Sequence, residues 1–97
     1  MLFIFTGKDK PDAFEQRLAV RPIHLEHLKS LGDKLVLAGP IWDENEKPQG
    51  SLLVLEADSL AAATTAFEAD PFVIEGIFAS YEIKRWNLVI NNLSKKD

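Results

Sequence analysis

A histidine and an aspartate are the residues of this chain best suited to acid–base chemistry. His24 follows Pro22 in a segment with leucines at positions 25, 28 and 31, and helical projection from Pro22 places its imidazole within that apolar stripe. An imidazole sheltered from bulk water can act as a general acid or base. Asp70 is its best partner, because a carboxylate bonded to one ring nitrogen fixes the tautomer and raises the basicity of the other nitrogen. We therefore predict that His24 and Asp70 form a catalytic pair.

Structural roles for the same two residues remain open. Asp70 precedes Pro71, the pattern of a helix N-cap followed by proline at the first helical position, and such a cap contributes about 1 kcal/mol to stability. His24 can equally be a core histidine that bonds a backbone carbonyl. Geometry decides between these interpretations. Side chains within hydrogen-bond distance at the edge of an open pocket favour catalysis or binding, whereas a sealed environment favours a structural role.

Two arginines one helical turn apart, Arg17 and Arg21, precede the histidine. They are candidates for holding an anionic group of a substrate, and the alternative is a solvated helix face. His24 and His27 have the spacing of two metal ligands on a helix, but no convincing third ligand accompanies them, so we predict no metal site. The chain has no glycine-rich phosphate loop either. We expect chemistry that needs no cofactor.

The overall charge argues against nucleic acid as a partner. The chain carries 11 basic and 15 acidic residues, for a net charge of −4, and a chain that repels phosphate lacks the usual basis of nucleic-acid binding.

The apolar run at the N-terminus ends at Gly7, far short of the roughly 20 residues of a membrane span, and no positive charge precedes it as in a signal peptide. Because cysteine is also absent, we predict a cytoplasmic protein without disulfides that does not enter a membrane.

The order of predicted elements is β-α-β-β-α-β. Hydrophobic periodicity predicts strands over 2–6, 34–38, 51–57 and 77–89, with Gly7 ending the first strand and a hairpin loop over 43–50 before the third. A first helix begins at Ala13, is kinked or restarted by Pro22 and is capped by Gly32. A second helix is capped by Asp58 or Ser59 and has Leu60, Ala63 and Phe67 on one face. This order predicts an α+β domain over residues 1–90, a ferredoxin-like split motif with a four-stranded antiparallel sheet, followed by a polar tail over 91–97. In this motif the helices run side by side, so the turn at Asp70 can approach the helix that carries His24.

Three of the predicted strands are apolar on both sides. Their opposed sets are Phe3 and Phe5 against Leu2 and Ile4, Leu35 and Leu37 against Val36 and Ala38, and Leu53 and Leu55 against Leu52 and Val54. Two helices can cover only one face of a sheet, so the other face needs a partner. We predict a homodimer packed sheet to sheet.

The whole pattern resembles the YCII-related family. The residues that carry the resemblance are the short apolar first strand, Arg17-x-x-x-Arg21-Pro22-x-His24-Leu25, Ala38-Gly39-Pro40, and Asp70-Pro71-Phe72 followed by Gly76, in that order. The resemblance implies a subunit of the dimeric α+β barrel superfamily, with a cleft between helices and sheet that holds the family's histidine and aspartate. Those residues correspond to His24 and Asp70.

Two hypotheses about function follow. In the first, the chain is a small cofactor-independent enzyme in which His24 moves a proton on a small organic substrate by elimination, isomerisation or hydrolysis, while Asp70 orients the ring and Arg17 or Arg21 holds an anionic group. In the second, the chain is a non-catalytic module that binds a small molecule or another protein through the same pocket.

Overall fold

The computed structural model describes residues 1–93. Its helices and strands in chain order are β1 (Leu2–Asp9), α1 (Phe14–Ser30), β2 (Leu35–Trp42), β3 (Pro48–Glu56), α2 (Leu60–Glu68), the one-turn helix α3 (Pro71–Ile74) and β4 (Phe78–Trp86). The strands form one antiparallel sheet in the order β2-β3-β1-β4. The predicted ferredoxin-like α+β fold is confirmed. Part of the predicted tail, residues 94–97, lies outside the described residues.

The helices lie on one face of the sheet and build the core there. On this face β1 and β3 align Phe3 with Leu55 and Phe5 with Leu53. Helix residues close over these strand residues, and the buried helical members of the cluster are Ala63, Phe67 and Phe72. Burial of apolar area on this one face is the main source of stability for a domain of this size. Within residues 1–93 no helix is both long and apolar enough to cross a bilayer.

β1 is longer than predicted, because Gly7 belongs to the strand and does not stop it. Gly7 pairs with Ser51 of β3. A Cβ atom at Gly7 would lie 2.8 Å from Cδ1 of Phe78 and 2.9 Å from Cε1 of Phe5. The missing side chain therefore lets two core rings close over the strand, and β1 continues to Asp9.

α1 runs through Pro22 without a break, so the predicted second helical segment is wrong. Proline removes the N–H that would bond the carbonyl of Leu18. Leu18 is 49% exposed, which leaves that side of the helix open to water as a substitute partner. Because the helix is continuous, Arg17 and His24 stand two turns apart on one element, about 10.5 Å along its axis.

α2 begins as predicted at Ser59, whose Oγ accepts a hydrogen bond from the backbone N–H of Ala62 at 3.1 Å. Ala63 and Phe67 are buried as predicted, but Leu60, the first residue of the helix, is half exposed. α1 ends as predicted before Gly32, which adopts a positive φ of 59°. Strand ends also differ from the prediction, since β3 begins at Pro48 and β4 ends at Trp86.

The second face of the sheet is apolar at its centre. Ile4 pairs with Val54 there, and Leu37 pairs with Val54 from the other side. The prediction that Leu35 and Leu37 share one side of β2 is wrong, because a register shift between them turns Leu35 toward the helical core and Leu37 toward the second face. The polar residues Thr6 and Glu82 pair beside this apolar centre.

Candidate active site

The structure brings His24 and Asp70 into direct contact. Nδ1 of His24 lies 2.8 Å from Oδ1 and 2.9 Å from Oδ2 of Asp70. A carboxylate can only accept, so Nδ1 carries a hydrogen atom and donates it, and this leaves Nε2 as the nitrogen with a lone pair. His24 is 8% and Asp70 4% exposed, so water competes little for this bond.

Local sequence explains how Asp70 reaches the histidine. Asp70 is the N-cap of α3, where its Oδ1 accepts from the backbone N–H of Phe72 at 2.9 Å, and Pro71 occupies the first helical turn. The N-cap interpretation of Asp70 is therefore correct, and the same carboxylate also bonds His24. Phe72 then stacks its ring on the imidazole, with centroids 3.7 Å apart and planes 3° from parallel. The short segment from Asp70 to Phe72 thus fixes both the plane and the tautomer of His24.

His24 borders a cavity of about 230 Å³ between α1 and the β2–β3 hairpin. Its apolar walls are formed by Leu18, Leu25, Leu28, Ala38, Pro40, Pro48, Leu53 and Phe72. In residues 1–93 every buried side-chain nitrogen and oxygen atom has a hydrogen-bond partner. Because Nε2 of His24 has none among these residues, it must be an atom that solvent can reach. The arrangement pairs an oriented imidazole with an accessible basic nitrogen at the wall of an open pocket.

The two arginines occupy different environments, although both line the cavity. Arg17 is 5% exposed, so a solvated helix face is wrong for this residue. Its Nε donates to Oδ2 of Asp9 at 2.7 Å, and its guanidinium carbon lies 4.7 Å from the ring centroid of Phe72. Arg21 is exposed at the cavity wall. The structure therefore separates a buried, ion-paired arginine from an exposed one and does not form a clamp of two equivalent groups.

His27 lies at the edge of the buried face of α1 and turns away from His24. Its Nε2 lies 3.1 Å from the carbonyl oxygen of Ala66, so this nitrogen carries the hydrogen atom and donates it to α2. Within the part of the chain that the structure describes, no group of three His, Cys, Asp or Glu residues could hold a metal ion.

Sequence reasoning missed three residues of the site: Asp9, Ser51 and Phe72. Asp9 lies beyond Gly7, at which the sequence predicts the first strand to stop. Ser51 stands in β3 beside Gly7, where its side chain faces α1. Phe72 belongs to the Asp70-Pro71-Phe72 motif, and its position two residues after Asp70 is a signal, since a capping carboxylate bonds the N–H at that position.

A second polar contact lies outside the cavity. The hydroxyl of Tyr81 donates to Oε2 of Glu68, which joins β4 to α2. This hydrogen bond raises the pKa of Tyr81 above its ordinary value of 10.0, with smaller contributions from burial and from the negative charge of Glu68.

Comparison with known proteins identifies the family of the chain. The sequence profile of the YCII-related domain matches residues 1–87. The chain belongs to the YCII-related family. Among its relatives, the protein YciI of Escherichia coli is 37% identical over 92% of this chain and 99% of its own length. An uncharacterized protein of Haemophilus influenzae is 35% identical over the same shares of the two chains.

Solved structures place this YCII-related chain among dimeric α+β barrel proteins. The 5-chloro-2-hydroxyhydroquinone dehydrochlorinase TftG from Burkholderia phenoliruptrix, in complex with 2,5-dihydroxybenzoquinone, has a TM-score of 0.82 and 32% identity over 90% of this chain and 94% of its own. An antibiotic biosynthesis monooxygenase has a TM-score of 0.59 at 18% identity, covering 93% of this chain and all of its own, and supports the fold alone.

Proposed function

We propose that this chain is a small cofactor-independent enzyme in which Nε2 of His24 acts as the general base and Asp70 positions the ring. The observation that carries the proposal is the Asp70 contact to Nδ1 at 2.8 Å, made by an imidazole that lines a cavity. The carboxylate holds the productive tautomer and stabilises the imidazolium that forms when Nε2 takes a proton.

The size of the cavity limits the substrate to a small molecule. An apolar cavity of about 150 Å³ holds one benzene molecule. The volume here, about 230 Å³, therefore fits a single ring with a few substituents. With His24 neutral the charges around the cavity balance, because Asp9 offsets Arg17 and the exposed Arg21 offsets Asp70. A negatively charged substituent on the ring is therefore favoured only near Arg21, by its local positive charge.

Elimination is the reaction that we favour. In this reaction Nε2 takes a proton from a C–H or O–H group of the substrate, the electrons of that bond form a new π bond, and the leaving group departs with its own electron pair. The likeness to TftG, a dehydrochlorinase by its name, supports elimination with chloride as the leaving group. Isomerisation and hydrolysis would use the same base and remain alternatives.

The test is a turnover assay with chlorinated hydroxyhydroquinones, including 5-chloro-2-hydroxyhydroquinone, followed by chloride release. Candidate variants are His24→Gln and Asp70→Asn, and His27→Gln is the matched control on the same helix. We expect turnover by the wild type and by His27→Gln, with a loss of about 10²- to 10⁴-fold in the other two. Binding without turnover would identify a binding module, and equal turnover by His24→Gln would contradict the proposed base.

We also propose that the chain forms a homodimer through the second face of the sheet. The support is the apolar second face, where Ile4 and Leu37 are half-buried in the single chain on either side of the buried Val54, together with a fold whose relatives are dimeric α+β barrels. Solution mass by light scattering tests this proposal, and a stable monomer at micromolar concentration would contradict it. The cytoplasmic location remains a prediction from the sequence, which cell fractionation can check.

A further inference from the structure

Arg17 is held from two sides in a single orientation. Its Nε and Nη2 bond the two oxygens of Asp9 at 2.7 and 3.2 Å. Nη2 also lies 2.8 Å from the carbonyl oxygen of Gly50 and 2.7 Å from Oγ of Ser51. Because the guanidinium is planar and rigid, these contacts along one edge fix the direction of the remaining nitrogen, Nη1.

Two donors on Arg17 and Ser51, which both line the cavity, have no acceptor among residues 1–93. The first is Nη1 of Arg17, which must be reachable by solvent because every buried side-chain nitrogen in the described chain has a partner. The second is the hydroxyl hydrogen of Ser51: Oγ accepts from Arg17, so its hydrogen must point elsewhere. Ser51 is 3% exposed and lines the same cavity as His24.

We propose that Nη1 of Arg17 and the hydroxyl of Ser51 form a subsite that binds a negatively charged oxygen of the substrate in the cavity that His24 also lines. The subsite rests on the proposed function, since it takes the oxygen on which charge develops when His24 removes a proton. Phe72 contacts both His24 and Arg17, with the imidazole centroid 3.7 Å and the guanidinium carbon 4.7 Å from its ring centroid. A single ring can therefore face both groups, and the ligand is a ring with an ionised oxygen, such as a phenolate or enolate.

Charge balance favours this role over a simple electrostatic attraction. Asp9 already neutralises Arg17, and both side chains are only 6% exposed, so the pair offers oriented N–H and O–H dipoles with no net charge. Fixed donors of this kind stabilise a developing oxyanion without having to reorganise during the reaction. Ser51 is thus a substrate-binding residue whose hydroxyl is oriented by Arg17.

Calorimetric titration with 2,5-dihydroxybenzoquinone, which is ionised at neutral pH, tests the subsite. The neutral ring hydroquinone is the matched ligand. Ser51→Ala removes the donor, and Ser80→Ala is the control, because Ser80 is exposed on β4 and lies outside this cavity. We expect Ser51→Ala to raise the Kd of 2,5-dihydroxybenzoquinone about 10- to 100-fold and that of hydroquinone by a much smaller factor. Ser80→Ala should match the wild type for both ligands.

If Ser51→Ala does not fold, Ser51→Cys keeps the size and supplies only a weak donor, and its loss of affinity should be smaller but selective for the ionised ligand. Wild-type affinity in the folded variant, an equal loss for both ligands, or failure of the wild type to bind the ionised ring would each overturn the subsite. If Ser51→Ala selectively weakens binding of the ionised ligand, but the wild-type protein releases no chloride from chlorinated rings, the result supports the subsite and counts against the proposed catalysis.

Discussion

The tautomer of His24 is the most direct consequence of its contact with Asp70. If Nδ1 were unprotonated, its lone pair would face two carboxylate oxygens at 2.8 and 2.9 Å, and a hydrogen bond to a charged acceptor would be lost. Such bonds contribute about 1.5–3 kcal/mol, which corresponds to a factor of about 10 to 150 between the two tautomers. We therefore expect His24 to hold its hydrogen on Nδ1 in more than about 90% of neutral molecules.

Asp70→Asn should weaken this preference with little change to the fold. Asparagine caps helices as well as aspartate does, so its oxygen stays on the N–H of Phe72 and remains 2.8 Å from Nδ1, while its amide nitrogen takes the position of Oδ2, 2.9 Å from Nδ1. The neutral oxygen accepts more weakly than a carboxylate, and the neighbouring N–H donor favours a lone pair on Nδ1, so the fraction of rings with hydrogen on Nε2 rises. Asp70→Ala removes the cap as well, and it should therefore be less stable than Asp70→Asn by about 1 kcal/mol, or about 4–8 °C in Tm.

Nitrogen-15 NMR of the imidazoles measures this directly, at a pH where both rings are neutral. His27 is an internal control, because its Nε2 donates to the carbonyl of Ala66 and should carry the hydrogen in both proteins. The expected result is Nδ1–H for His24 in the wild type and a larger fraction of Nε2–H in Asp70→Asn. A wild-type His24 protonated on Nε2, or an Asp70→Asn protein with the same ratio of the two tautomers as the wild type, would refute the reasoning.

Three further outcomes test other contacts. Asp9→Ala leaves the buried guanidinium of Arg17 without its counter-charge and should lower the free energy of unfolding by about 3–5 kcal/mol in urea titrations; a change below about 1 kcal/mol would contradict a tight buried pair. Glu68→Gln should bring the pKa of Tyr81 back toward 10.0, and since the chain has one tyrosine, its tyrosinate absorbance reports this residue alone. The folded state of the wild type favours the protonated phenol, so this contribution to stability is present below pH 10.0 and declines above it; an unchanged titration would discount the Glu68 bond. Ile4→Glu should reduce the solution mass to that of a monomer while the helical signal in circular dichroism persists, and an unchanged mass would exclude the second face as the interface.

Local patterns predicted the order of elements well. The βαββαβ order, the Ser59 cap and the glycine after α1 all depend on neighbouring residues, and the structure has each of them. The errors at Gly7 and Pro22 have different causes, although each residue ends an element when only its neighbours are considered. At Gly7 the strand continues because Phe78 packs over it, which is a tertiary feature. At Pro22 the helix continues on its exposed side, where water can replace the hydrogen bond that proline removes.

The residues of the candidate site also fall into two groups, those whose positions the local sequence indicates and those that depend on tertiary structure. His24 and Asp70 were identifiable because helix periodicity and the Asp-Pro cap indicate where their side chains point. Arg17 bonds Asp9, 8 positions away in the chain, and Ser51, 34 positions away. These bonds depend on how the strands pair, which sequence spacing does not encode. The exposed position of Arg21, one turn further along α1, could not be distinguished from the buried one by residue type alone.

The geometry of α1 also constrains which ligands the cavity can take. His24 and Arg17 belong to one unbroken helix and both side chains pack on the ring of Phe72, so the distance between the proposed base and the proposed oxygen subsite is set by packed elements and not by a movable loop. Each of the two side chains is in turn oriented by a carboxylate from another element, Asp70 before α3 and Asp9 at the end of β1. A ligand too short to reach both ends loses one set of donors, because neither end can move toward it without breaking a buried hydrogen bond. Selectivity for length should therefore persist in variants of the exposed Arg21, which alters attraction for the charge of the ligand but not the spacing of the site.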